Sequence, residues 1–256
     1  MSTTSIFKGT GAKKRCDDFM KRDATLSQFQ YDVSTLGHKC FVAGTFVGIY
    51  EMIKNNTTSE SCYYESWNKE NNMKFFIDYD LKLEDEEDSL NYKNDDYFIK
   101  LKDGRQPYVE IAKLIDFFKK KLENLGGLNI VPYVLDASYE KKFSLHIIFD
   151  GVCFENTNQL KLFFMNIVKE NKYIYDLVEK GIVDKRVYKP GCLRLPMCTK
   201  YGQGRPLALL RNFDKEVIER SAEKDITFEE FISCCATHVE TCMSIKEIPK
   251  NSGKFI

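Results

Sequence analysis

The sequence lacks any run of about 20 apolar residues, the length a helix needs to cross a bilayer, so no transmembrane helix is expected. It shows no secretory signal, because MSTTSIFKGTGAKKR at the N-terminus is polar and basic with no apolar core behind it. No C-x-x-C occurs, and the nine cysteines (16, 40, 62, 153, 192, 198, 234, 235 and 242) are an odd number. That pattern does not suit a disulfide framework. Free thiols packed as small hydrophobes, in an intracellular protein, are the expectation. Net charge is missing too: 38 Lys and Arg balance 38 Asp and Glu, so the total says nothing about a charged partner. Internal repeats and low-complexity segments are absent.

What is present suits a folded domain. The 256 residues include 19 Phe and 14 Tyr and are 43% hydrophobic, which supplies a sizeable core and excludes wholesale disorder. Charge is uneven locally. Glu84, Asp85, Glu86, Glu87, Asp88, Asp95 and Asp96 form an acidic run that reads as a solvated loop. Lys185, Arg186, Lys189, Arg194, Lys200 and Arg205 form a basic run without an acid between them. It reads either as a phosphate-facing segment or as an ordinary exposed hairpin.

Periodicity predicts helices over 26–36, 46–54 (capped by Thr45), 107–125, 158–169, 173–180 and 227–241. It predicts strands over 61–66, 73–81, 129–136, 142–149, 192–199 and 206–210. Val109, Ile111, Ala112, Leu114, Ile115, Phe118 and Leu122 give the clearest apolar stripe, ended by Gly126-Gly127. His38 stands just before a further expected strand, and residues 246–256 read as a frayed tail. Without a regular βαβ repeat, the mixture favours an α+β fold.

Three segments can carry chemistry. In Phe75-Phe76-Ile77-Asp78-Tyr79-Asp80-Leu81, strand alternation puts Asp78 and Asp80 on one face. Two neighbouring carboxylates repel unless a cation sits between them, and Mg²⁺ or Mn²⁺ is the usual one. A lone D-x-D more often marks a strand running out to the surface. In Lys142-Phe143-Ser144-Leu145-His146, Lys142, Ser144 and His146 share the face opposite the apolar residues, and together suit phosphate oxygens. A solvated strand face with a hydrogen-bonded histidine is the plainer alternative. In the third, Asp184 follows Ile182-Val183 and adds a third carboxylate, while Arg194 alternates with Leu193 and Leu195, with Lys200 beyond.

The order of the three, in KFFIDYDLK (74–82), KKFSLHIIFDG (141–151) and GIVDKRVYKPGCLRLPMCTK (181–200), resembles the archaeo-eukaryotic primase superfamily. The likeness is greatest to the primase-polymerase branch of eukaryotes and large DNA viruses. It spans roughly half the chain. The resemblance implies a single catalytic domain over 1–256: an N-terminal part to about 60, a core over 61–215, and a C-terminal helix and tail over 216–256. It implies an α+β core, a sheet like that of RNA-recognition modules with an N-terminal α/β lobe. Asp78, Asp80 and Asp184 would be the catalytic metal ligands for two Mg²⁺ or Mn²⁺ ions. Ser144, His146, Arg194 and Lys200 would bind the nucleotide triphosphate, with Lys142 a plausible addition from the same face. The implied activity is template-directed primer synthesis or chain extension. Its partners would be single-stranded DNA, NTPs or dNTPs and a replicative helicase or other replication proteins. Its setting would be the nucleus or a viral replication compartment in the cytoplasm.

Tyr64, Trp67, Tyr188 and Tyr201 are conceivable stacking surfaces for bases, though core or rim packing is the commoner use of such residues. Zinc is not expected: Cys234, His238 and Cys242 at helical spacing make a poor tetrahedral site. Three alternatives rank lower. They are a non-catalytic single-strand-binding module, a metal-dependent nuclease and a D-x-D nucleotide-sugar transferase.

Overall fold

Alternating polar and apolar residues build the first sheet. In this computed structural model the described residues are 4–36, 38–83, 89–91, 98–100, 107–139, 141–211, 219–222 and 224–248. From the N-terminus come β1 (Ser5–Phe7), α1 (Ala12–Met20), β2 (Ser27–Asp32), β3 (Lys39–Gly44), α2 (Phe46–Asn55) and β4 (Tyr63–Trp67). After these run β5 (Met73–Lys82), β6 (Ser89–Asn91), β7 (Phe98–Lys100), α3 (Pro107–Glu123), β8 (Val131–Asp136) and β9 (Lys142–Phe154). The remainder is α4 (Thr157–Glu170), α5 (Lys172–Glu179), β10 (Gly191–Arg194), β11 (Ala208–Arg211), β12 (Glu219–Arg220), α6 (Phe228–Ser233) and β13 (Met243–Ile245).

The fold is mixed α and β, with two main sheets. The first is antiparallel, in the order β1-β3-β2-β4-β10. The second runs β12-β11-β8-β9 with β5 on the far side of β9, and β13 joins the end of β9 in parallel. β6 and β7 pair antiparallel as a separate two-stranded sheet. The acidic residues Glu84–Asp88, Asp95 and Asp96 lie outside the described residues, as does most of the expected tail. Among the described residues no helix is long and apolar enough to cross a membrane.

β5 and β9 are the centre of the molecule. Phe75, Ile77, Phe143, Leu145, Ile147 and Phe149 are buried, and Phe75 packs on Phe118 of α3 (ring centroids 4.9 Å) and Phe163 of α4 (5.1 Å). The stripe of α3 is buried at Ile111, Leu114, Ile115, Phe118 and Leu122, whereas Val109 is exposed. The helix ends at Glu123 and the turn after it closes at Gly126, whose φ of +97° is a left-handed conformation that favours glycine. Thr45 caps α2, its hydroxyl accepting from the Gly48 N–H at 3.1 Å.

Two expected helices are corrected. Residues 26–36 hold strand β2, because Gln28 and Gln30 alternate with Phe29 and Tyr31, and Phe29 enters the core opposite Val42 and Glu65. The terminal helix stops at Ser233 rather than 241 because the sheets claim its backbone. The buried Lys74 ammonium donates to the carbonyls of Ile232 and Ser233, and its N–H donates to Ala236 O at 2.8 Å. The buried Glu65 carboxylate accepts the N–H groups of Ala236 (2.9 Å) and Thr237 (2.8 Å). The strand expected over 192–199 ends at Arg194, before Pro196 and Met197, the latter at φ +61°.

Candidate functional site

The D-x-D and S-x-H strands are direct neighbours. β5 and β9 pair antiparallel with Asp78 opposite His146, Asp80 opposite Ser144 and Lys82 opposite Lys142. Alternation then puts Phe76, Asp78 and Asp80 on one face with Ser144 and His146 beside them. Phe76 packs on Trp67 of the first sheet (5.8 Å), so this face is turned toward the first sheet.

The third segment reaches the same place along the free edge of β5. The Asp80 N–H donates to Ile182 O at 2.7 Å, the Asp184 N–H donates to Asp78 O at 3.1 Å, and Tyr79 and Val183 form a β-bridge. Further on, the buried Tyr188 hydroxyl donates to Phe76 O at 2.6 Å. Three alternate positions on one strand edge are thus satisfied by residues 182–188, which delivers Asp184 beside Asp78. Trp67 holds the next loop, its indole N–H donating to Lys189 O at 2.8 Å.

Each carboxylate has a distinct environment. Asp80 accepts from the Ser144 hydroxyl at 2.6 Å and pairs with Lys142 at 2.7 Å. Asp184 accepts from the Arg186 N–H (2.8 Å) and from its guanidinium (Nε 2.9 Å to Oδ1, Nη2 3.0 Å to Oδ2). The Arg186 hydrogen bond holds the Asp184 carboxyl below its usual range. The Asp78 carboxylate lies 3.7 Å from His146 Nε2. Burial, reinforced by the charges of Asp80 and Asp184, pushes its carboxyl up to about 7, with Lys142 and Lys200 opposing. Burial and the cations Arg194, Lys200 and Lys142 hold His146 well below its ordinary value, so its imidazole is neutral at pH 7.

Arg194 and Lys200 complete the group. Arg194 enters from β10 of the first sheet, opposite Tyr64 on β4, and is buried. Its Nη1 donates to Arg205 O at 3.0 Å. Exposed Lys200 lies at the rim; partial desolvation and the charges of Arg194 and Lys142 lower its pKa. His146 Nδ1 and Arg194 Nε are both buried and have no hydrogen-bond partner among the described residues. Unsatisfied polar atoms of this kind are costly and mark a place where a ligand atom can complete the bonding.

All eight singled-out side chains (Asp78, Asp80, Lys142, Ser144, His146, Asp184, Arg194 and Lys200) therefore belong to one electrostatically coupled cluster. Asp78, Asp80 and Asp184 supply carboxylate oxygens, the donor type that a hard divalent cation takes. Among the described residues, however, no three His, Cys, Asp or Glu side chains form a ready-made metal cage. Asp80 and Asp184 are turned instead to protein cations.

Tyr201 is exposed, whereas Tyr64, Trp67 and Tyr188 are buried and do not offer free faces for stacking. Cys234, His238 and Cys242 do not share a helix. Cys234 is buried, His238 packs edge-on against Phe46 at 4.9 Å, and Cys242 lies 3.6 Å from Asp150. Arg205 is a part of the site that the motifs did not reveal. Its guanidinium stacks 3.9 Å from the Tyr139 ring centre and donates to Ala137 O, which ties the Arg194 loop to the β8–β9 turn. Membership of the basic run was its only signal.

No protein-family model matches the sequence. No curated protein matches it either.

Proposed function

We propose that the chain is a metal-dependent nucleotidyltransferase of the archaeo-eukaryotic primase type, acting as a primase-polymerase on single-stranded DNA. One observation carries this reading. Three separate segments, resembling that family in order, bring their acids and bases together, with Asp78 and Asp80 directly opposite His146 and Ser144. The two-sheet α+β architecture is compatible with the family's core and its N-terminal lobe.

Asp78, Asp80 and Asp184 would hold Mg²⁺ or Mn²⁺, whose chemistry is to acidify a primer hydroxyl and brace a polyphosphate. The protein's own share is charge placement. Arg194, Lys200 and Lys142 stand where phosphate charge develops, and preorganised cations in a partly dry site stabilise it strongly. Neutral His146, beside Asp78, offers a donor to a phosphate oxygen without adding charge. A ribonucleotide or deoxyribonucleotide triphosphate is the substrate, single-stranded DNA the template, and a replicative helicase a natural partner. Such a protein would work in the nucleus or in a viral replication compartment.

Synthesis on a single-stranded DNA template with labelled NTPs or dNTPs and Mn²⁺ or Mg²⁺ tests the reading. Short products without a primer, lost in Asp80→Ala, make it a primase. Products only from a supplied primer make it a chain-extending polymerase. No product in either assay, with template binding intact, favours the non-catalytic binding module.

A further inference from the structure

Arg186 is a cation of the site that the chemistry above leaves unused. It sits two residues after Asp184, and the turn that follows the aspartate aims its guanidinium back at the same carboxylate. Contacts of 2.9, 3.3 and 3.0 Å engage both carboxylate oxygens. The Arg186 side chain is 79% exposed, and its charge is also felt by Asp78. Among the described residues nothing but Asp184 is hydrogen-bonded to the guanidinium, so it can leave by rotating into solvent. Lys142 does the equivalent at Asp80, but there Ser144 shares the carboxylate and the lysine is mostly covered.

We propose that Arg186 is a displaceable placeholder, occupying the Asp184 carboxylate in the metal-free protein and swinging away when a divalent cation binds. The inference rests on the reading of Asp78, Asp80 and Asp184 as a metal site. Its physical basis is competition. A carboxylate clamped by two parallel N–H donors must lose them before it ligates a metal through those oxygens, and a guanidinium left close by repels the incoming cation. Exposed ion pairs are weak, which makes the clamp easy to open. Free metal is therefore held less tightly than three carboxylates would allow. A metal arriving with a polyphosphate brings the anion that the released Arg186 can face.

The test is Mn²⁺ binding to the whole chain without nucleotide, read from the electron paramagnetic resonance signal of the free ion. Arg186→Gln, which keeps the side chain polar but removes the charge, should bind Mn²⁺ about three- to tenfold more tightly than wild type. Arg186→Lys, which keeps the charge, should stay within about twofold of wild type. Affinity in Arg186→Gln no tighter than wild type overturns the placeholder role, provided Asp184→Asn weakens binding. If wild type and Arg186→Gln both fail to bind Mn²⁺, or Asp184→Asn changes nothing, the metal-site reading fails and the placeholder with it. Thermal melting of each variant, expected within a few degrees of wild type for so exposed a residue, guards against a folding artefact.

Discussion

Asp80 and Ser144 face each other across β5 and β9, and the serine hydroxyl donates to Asp80 Oδ1 at 2.6 Å. A D-x-D strand and an S-x-H strand separated by more than 60 residues of sequence are thereby fixed in register to the single residue. A one-residue slip would turn every carboxylate into the aromatic core. The register is set by packing, because Phe75, Ile77, Phe143 and Leu145 must all point the other way.

The raised Asp78 carboxyl makes stability depend on pH. The folded chain keeps a proton near pH 7 that an unfolded aspartate releases near 3.9. Its contribution is therefore full below about pH 4 and is lost as pH rises through about 7. Asp78→Asn should raise the melting temperature at pH 8 and change it little at pH 4, an effect of order a few kcal/mol. Equal effects at both pH values would show that Asp78 titrates normally.

Tyr188 pins the third segment to β5. Tyr188→Phe leaves Phe76 O without its donor in a buried setting and should cost about 1–2 kcal/mol of stability in urea unfolding. Because the same contact helps seat Asp184, metal affinity should fall as well. Unchanged unfolding and unchanged affinity would show that the backbone bonds at Asp78 and Asp80 suffice.

His146→Ala should weaken nucleotide use more than template binding, since the imidazole sits among Arg194, Lys200 and Lys142 and not at the outer surface. A severalfold rise in nucleotide KM with template Kd unchanged is the expected result. An unchanged KM and kcat would remove His146 from the nucleotide site.

Lys74 joins the C-terminal segment to the core. Its ammonium pairs with Asp150 at 2.8 Å and donates to the end of α6, all while almost fully buried. Lys74→Ala leaves an acid and two carbonyls without their partner and should cost about 3–5 kcal/mol in urea unfolding. A loss under about 1 kcal/mol would mean that water replaces the ammonium there.

The strands and helices that carry the site were legible because their patterns are strong. Period-2 alternation marked β5 and β9, and the stripe with Gly126 marked α3. The α6 boundary was not, because Glu65 and Lys74, distant in sequence, take the backbone groups that a longer helix would use. β2 was misread although Gln-Phe-Gln-Tyr alternates, since its short apolar run also fits a helical spacing. The three motifs single out eight residues that the fold brings together. That Asp184 is clamped by Arg186, or that Arg205 braces the Arg194 loop, depends on turn geometry and on a contact with Tyr139 that spacing does not encode.

The most direct test of the central claim is single-nucleotide incorporation on a primed single-stranded template, with template binding measured in the same samples, for wild type and Asp78→Ala. The account predicts metal-dependent incorporation by wild type, its loss by at least a hundredfold in Asp78→Ala, and equal template binding (a loss of the size that removing one transition-state group produces). Incorporation by Asp78→Ala within tenfold of wild type would contradict it.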